Sequence, residues 1–246
     1  MTHPLTAGFF AALLTAPALL QAAPRVAEGT HLDGDIGIGV THTQNHVLGV
    51  KPKTEAVPYL AFDYGRAFAR VDSFGVRVLA MGDGDIEVAG QWRSDGYVSS
   101  VLGKRSSSVP LGLSTLQITP IGAFWVQALH DFGMSRGNVL QARYLGELKL
   151  GWLTFYPELG AEYQSKAYTR YYHGTTAADA ARLGQAYRPG AALNPFAGAI
   201  FEAEINHPWY AMAYARRTVV DAAIARSPLV TSRHRDLVLL SLARRF

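Results

Sequence analysis

The sequence predicts an all-β fold, a transmembrane antiparallel up-and-down β-barrel of about 12 strands with one short helix in a long extracellular loop. Three observations carry that expectation. Past residue 30, apolar and polar residues alternate with a period of two along segments separated by turn-forming residues. Short and long links take turns between those segments, as in outer-membrane barrels. After the N-terminus no run reaches the roughly 18 apolar residues that a spanning helix needs, so any membrane must be crossed by strands.

Composition narrows the field further. The 246 residues are 49% hydrophobic and only 17% charged, which excludes a mostly disordered chain. There is no cysteine, hence no disulfide, no thiolate zinc site and no thiol nucleophile. The formal charge of +4 is spread along the chain and gives no nucleic-acid footprint. Residues 1–23, "MTHPLTAGFFAALLTAPALLQAA", have an Ala/Leu-rich centre and end in small residues, which reads as a cleaved secretory signal preceding a barrel domain at 24–246. A retained anchor is the alternative, opposed by Pro17 and the short apolar core.

Strands are expected near 33–41, 55–63, 66–72, 74–81, 85–93, 110–118, 120–129, 139–149, 152–164, 195–205, 209–218 and 235–246. "DIGIGV" sets Ile36, Ile38 and Val40 against Asp35, Gly37 and Gly39. "DIEVAGQWR" repeats this, with Ile86, Val88 and Trp92 opposite Asp85, Glu87, Gln91 and Arg93. In "LQARYLGELKL" the polar face is Gln141, Arg143, Glu147 and Lys149, and in "WLTFYPELGAEYQ" it includes Glu158 and Glu162. A water-soluble sandwich would alternate in the same way. The links argue for the barrel: short ones near 64–65, 82–84, 119–120, 150–151 and 206–208 alternate with long ones near 42–54, 94–109, 130–138, 165–194 and 219–234. Only Ser73 is a short link where a long one is due. Tyr59, Tyr64, Trp92, Trp125, Tyr144, Trp152, Tyr163 and Trp209 stand at strand ends, where interfacial girdles form. Within the longest loop, Thr176 with Asp179 three residues on makes a capping box, and Gly184 ends that helix.

The polar face names the lumen charges: Arg77, Glu87, Arg143, Glu147, Lys149, Glu158, Glu162, Glu202 and Glu204, with Asp35, Arg66, Arg70 and Arg93 alongside. Unpaired, each would cost several kcal/mol in a dry interior, so they pair across the lumen or meet water. The first outcome gives a plugged barrel and the second a small-solute pore.

Other constellations are less telling. Asp83, Asp85 and Glu87 lie at a "GDGD" hairpin that reads as solvated. His42 and His46 have metal-ligand spacing only on a helix, and they sit in a loop. His130, His173 and His207, with Ser114 or Ser135, are residue types that a hydrolase uses, but no spacing selects a set. The expectation is a protein that is not an enzyme, with no catalytic residues, cofactor or metal.

The stretches "VPYLAFDYGRAFARV", "AYTRYYHGTTAADAARLGQAYRPGAA" and "ARSPLV", in that order, resemble the MipA/OmpV family of outer-membrane proteins. The most specific element is Tyr171-Tyr172-x-Gly174, then a short helix, then Tyr187 with Pro189 and Gly190, and finally Ser227-Pro228. The chain departs from the family pattern at His173-Gly174-Thr175, where an aromatic and Gly-Val are common, and at Arg226, where an acidic residue precedes Ser-Pro. The resemblance implies the outer membrane of a Gram-negative bacterium and a non-enzymatic scaffold that links a lytic transglycosylase and a peptidoglycan synthase to the outer membrane. It also implies the alternatives of a small-solute porin or a surface adhesin, the latter through Tyr168, Tyr171, Tyr172 and Tyr187 in the long loop.

The last segment, "DLVLLSLARRF", places Val238, Leu240 and Leu242 on the face shared by Phe246. These four are the expected assembly signal, read by the barrel assembly machinery before the strand meets outer-membrane lipid. Arg244 interrupts the apolar row close to the interface, where its stem can snorkel.

Overall fold

The computed structural model describes residues 32–246. The expected export signal at 1–23 lies outside the described residues. In chain order the elements are β1 (Leu32–Gln44), β2 (Lys53–Tyr64), β3 (Ala67–Arg70), β4 (Ser73–Met81), β5 (Gly84–Gln91), β6 (Tyr97–Ser99), β7 (Gly103–Arg105) and β8 (Leu111–Thr119). There follow β9 (Gly122–His130), β10 (Asn138–Leu145), β11 (Leu148–Leu150), β12 (Leu153–Gln164), α1 (Lys166–His173), α2 (Ala177–Leu183), β13 (Ala192–Asn206), β14 (Trp209–Val219), α3 (Ala222–Ala225) and β15 (His234–Arg245). β6 and β7 form a small hairpin in a loop; the other strands make one closed antiparallel barrel of 12 strands, β11 continuing β10. Closure is direct: β15 pairs with β1 from Asp35↔Arg245 to Gln44↔Asp236, and the Phe246 amide donates to the Gly34 carbonyl at 3.0 Å.

Alternation decides what each face meets. Ile38 is 63% exposed and Leu240 56%, while Asp35 and Leu239, of opposite parity on the same two strands, are buried in the lumen. A continuous band of exposed Ile, Leu, Val and Phe around a closed sheet fits hydrocarbon, not water. Tyr64, Trp152 and Trp209 stand at the short-turn end of the wall and Trp92 and Tyr163 toward the opposite end, all exposed. Tyr59 and Trp125, expected in those girdles, turn inward instead and are each 2% exposed. Pairing explains it, because Tyr59 shares its face with Ala61 and Trp125 shares its face with Gln127.

Three strand prolines mark the places where the ladder lacks a donor. Pro157 accepts from the Gly146 amide at 3.0 Å but cannot return the bond, which separates β10 from β11 although both keep one register against β12. Pro195 precedes Phe196, where the β13–β14 ladder begins. Pro58 lies on the half of β2 that β3 does not reach, since the four-residue β3 pairs only with Ala61–Tyr64.

The loops hold three short helices, not one. α2 has the expected box: Thr176 accepts from the Asp179 amide at 3.1 Å, Asp179 accepts from the Thr176 amide at 2.9 Å, and Gly184 closes the helix in the left-handed region. α1 gave no such signal because its N-cap residue, Ser165, makes no capping bond; its hydroxyl accepts from the Asn138 amide of the wall. The short link near Ser73 is the two-residue turn Val71–Asp72, with Val71 at a φ of 56°.

Candidate functional site: a capped cavity in the lumen

The short-turn half of the lumen is filled. Inward positions supply Tyr59, Leu116, Trp125, Tyr156, Ile200, Met212 and Tyr214, packed as one apolar cluster. Threaded through it are buried ion pairs, all of them with arginine. Arg245 Nε meets Asp35 at 2.9 Å and its Nη2 meets Glu202 at 3.3 Å, with the guanidinium 3.8 Å from the Tyr210 ring centre. Glu158 receives Arg143 at 3.1 Å, Arg216 at 2.8 Å and the Tyr214 hydroxyl at 2.8 Å. Arg70 donates to Glu87 at 2.9 Å and Ser114 donates to the same carboxylate at 2.6 Å. The planar fork suits bidentate pairing in a dry space, which explains why lysine is confined to the rims.

Above this layer Arg93 pairs with Glu162 at 2.6 Å, and Gln141 and Gln164 complete the carboxylate's shell at 3.0 and 2.7 Å. A cavity of about 650 Å³ follows, lined among others by Thr41, Val57, Arg70, Gln91, Gln164, Phe196 and Leu237. The long loops roof it. Asp95 accepts from Arg93 at 2.7 Å, from the Tyr168 hydroxyl at 2.5 Å and from Arg235, tying three distant segments together. Burial opposes its ionisation, yet Arg93 and Arg235 hold the carboxyl well below the usual carboxylate range. Val47, Tyr97, Leu102 and Leu229 give the roof an apolar core of its own.

His46 and His173 lie under this roof with ring centres 5.2 Å apart, and both face the cavity. Burial, then the neighbouring His173 and Arg235, pushes His46 down to about 3. Burial likewise takes His173 down to about 4, with Arg235 reinforcing and Asp95 opposing. Both imidazoles are therefore neutral at physiological pH.

The structure places the residues named from sequence as follows. Glu87, Arg143, Glu158, Glu162 and Glu202 are buried in the lumen, and Arg77 reaches Asp63 at 2.7 Å and Asp85 at 3.6 Å. Glu204 is exposed, Lys149 is 58% exposed and paired with Glu147 at 2.9 Å, and Arg66 sits in the β2–β3 turn; all lie at the short-turn rim, where strand parity aims them inward but the wall has ended. Val238, Leu240 and Leu242 face outward on β15, and Phe246 is half-buried. Tyr168 and Tyr172 are fully buried in the roof, not displayed on its surface; Tyr171 is half-buried, and the half-buried Tyr187 donates to the Ala223 carbonyl at 2.9 Å. Their rings are taken up by packing the helix α1 onto the wall beside Val139.

Of the hydrolase candidates, Ser114 serves Glu87, Ser135 donates to Asp131 at 2.6 Å and His130 bonds Asn138 at 2.6 Å; of the histidine pair with ligand spacing, His42 bonds Thr54 at 2.7 Å. Among the described residues no group of three or more His, Asp or Glu could hold a metal ion. Sequence reasoning missed Arg216, Asp95, Arg235 and the His46–His173 contact. Parity along Tyr210, Met212, Tyr214 and Arg216 could have found the first; the others are joined only through the fold.

The geometry is that of a 12-stranded membrane barrel with a packed floor and a roofed cavity. A family model described as MltA-interacting protein MipA matches residues 36–246, from the first wall strand to the last residue of the chain. The chain belongs to the MipA family. That match begins where β1 turns Ile36 to the lipid face and covers the wall and the roof together. MipA membership and the closed barrel fit the outer membrane of Gram-negative bacteria. Comparison with curated proteins gives no match.

Proposed function

We propose that this MipA-family barrel is a non-catalytic scaffold that holds a lytic transglycosylase of the MltA kind, and with it a peptidoglycan synthase, at the inner face of the outer membrane. The family description supplies the first partner. The observation that carries the reading is the filled floor: a pore needs a watered lumen, whereas here each buried carboxylate of the floor already has an arginine. Such a barrel offers a rigid rim. At the short-turn end that rim presents Ile121 and Trp152, each 72% exposed, beside Leu150 and Ile205. On this reading the chain is exported by its N-terminal signal and the murein enzymes dock on the periplasmic turns.

The test is a photo-crosslinking residue placed at Ile121 or Asp83 in intact envelopes, with a lipid-facing site at Ile36 as control. Recovery of a transglycosylase from the turn sites alone supports the reading. Correctly inserted barrel that yields no murein enzyme from either turn contradicts it.

A further inference from the structure

We propose that the lumen cavity binds an uncharged, largely apolar small molecule with one polar end, which enters sideways from the outer leaflet through a notch in the barrel wall. This is independent of the scaffold reading above. The notch exists because β3 is too short. It pairs with Ala61–Tyr64 of β2, and the last contact on that side is the Val71 amide donating to the Leu60 carbonyl at 2.7 Å.

Polar groups of a strand alternate in direction, so Pro58, Ala56 and Thr54 turn theirs the same way as Leu60, toward a space where no strand follows. Pro58 removes one donor that hydrocarbon would leave unsatisfied. Elsewhere the wall is closed. Here the cavity is lined both by inward residues such as Val57 and Gln91 and by lipid-facing ones, Pro58, Leu60, Phe74 and Trp92. Side chains from the two faces of one sheet share a cavity only where the sheet is interrupted.

The lip itself is strained. Val71 is a β-branched residue at a φ of 56°, in the turn position that glycine usually takes, and it lines the same cavity. Strain of this kind is kept where geometry matters to function.

The lining selects the ligand. Its buried charges are engaged already: Arg93 with Glu162, Arg216 and Arg143 with Glu158, Arg235 with Asp95. A charged guest would bring its own desolvation cost and find the buried counter-ions of the lining taken; Asp72, the lining carboxylate held by Ser73 and Gln91, is exposed to solvent. What remains buried is neutral. Gln164 Oε1, both ring nitrogens of His46 and His173 Nδ1 are buried without a hydrogen-bond partner, and all three residues face the cavity and are less than 8% exposed. Val57, Phe196, Leu237 and Leu239 supply the apolar side. The volume of about 650 Å³ is within the range of small-molecule sites.

The probe is N-phenyl-1-naphthylamine, an uncharged aromatic amine that fluoresces in apolar surroundings, added to the folded protein in lipid nanodiscs and corrected for empty discs. A saturable signal is expected. Val57→Trp, which fills the cavity, and Gln164→Ala, which removes the polar contact, each weaken it about tenfold, at least one of them with heat-modifiable migration retained. No saturable signal, or one that a folded variant leaves unchanged, overturns the site. The route is tested separately, using the absence of native cysteine. A bimane label on Val57→Cys is quenched by acyl-brominated lipid more strongly than one on Ala123→Cys in the packed floor. Equal quenching overturns the lateral entry and leaves the cavity accessible only through the roof.

Discussion

Below Glu158 and above it, the lumen is walled by the same strands with opposite contents. On β12 the inward row runs Tyr156, Glu158, Gly160, Glu162; on β14 it runs Tyr210, Met212, Tyr214, Arg216, Thr218. Large side chains and ion pairs occupy the floor. Toward the roof the inward residues shrink to Thr41, Thr43, Val57 and Thr218, and the loops close the space instead of the wall. Alternation sets which face looks inward, while side-chain size decides whether that interior is a core or a cavity.

The largest effect that breaks this contrast is expected in the floor. Glu158→Ala leaves Arg143 and Arg216 buried without their shared carboxylate, a loss of about 3 to 5 kcal/mol. Urea titration followed by heat-modifiable migration measures it; a loss below about 1 kcal/mol would mean water reaches the floor.

The roof is expected to respond to acid and the floor much less. His46 and His173 have folded values depressed to about 3 and about 4, below the ordinary value near 6.5, so the closed roof binds fewer protons than an opened one. Its stability is full above pH 6.5 and is lost as pH falls, by about 1.4 kcal/mol per unit for each histidine. Asp95 adds to this only at lower pH, since its depressed carboxyl keeps its contribution down to the ordinary carboxylate range. Protease cleavage within 92–110 or 165–191 should rise between pH 7 and pH 5 in wild type. His46→Phe with His173→Phe should flatten that rise; an unchanged profile would assign the effect elsewhere.

The smallest effect sharpens the boundary between the two regions. Val71→Gly relieves a positive φ at the notch but gives up the contacts of a half-buried side chain packed against the floor cluster, so the two offset to within about 1 kcal/mol. Thermal unfolding should show little change; a marked loss would mean that the packing outweighs the backbone strain.

The wall was legible because each strand states its alternation locally, as β12 does with Phe155, Leu159 and Tyr163 outward and Glu158 and Glu162 inward. The inward charges were legible by the same parity, except that Arg216 lies on a strand whose outward row is mostly small alanines and whose other inward residues are Tyr210, Met212 and Tyr214, so neither face looked polar. The roof was not legible. Asp95 meets Tyr168 across 73 residues and Arg235 across 140, and no local pattern announces such contacts. The Tyr-rich loop read as a display surface for the same reason: aromatic residues in a loop look exposed until another loop covers them. Tyr97, which donates to the Tyr172 carbonyl at 2.9 Å, is that cover.

A floor packed in this way should pass no ions, which conductance measures. Folded protein reconstituted in a planar lipid bilayer is expected to give no steady current steps at neutral pH, and to keep that silence when the roof loop at 165–191 is deleted, because the floor alone blocks the lumen. Stable ohmic steps from the wild-type barrel would contradict it.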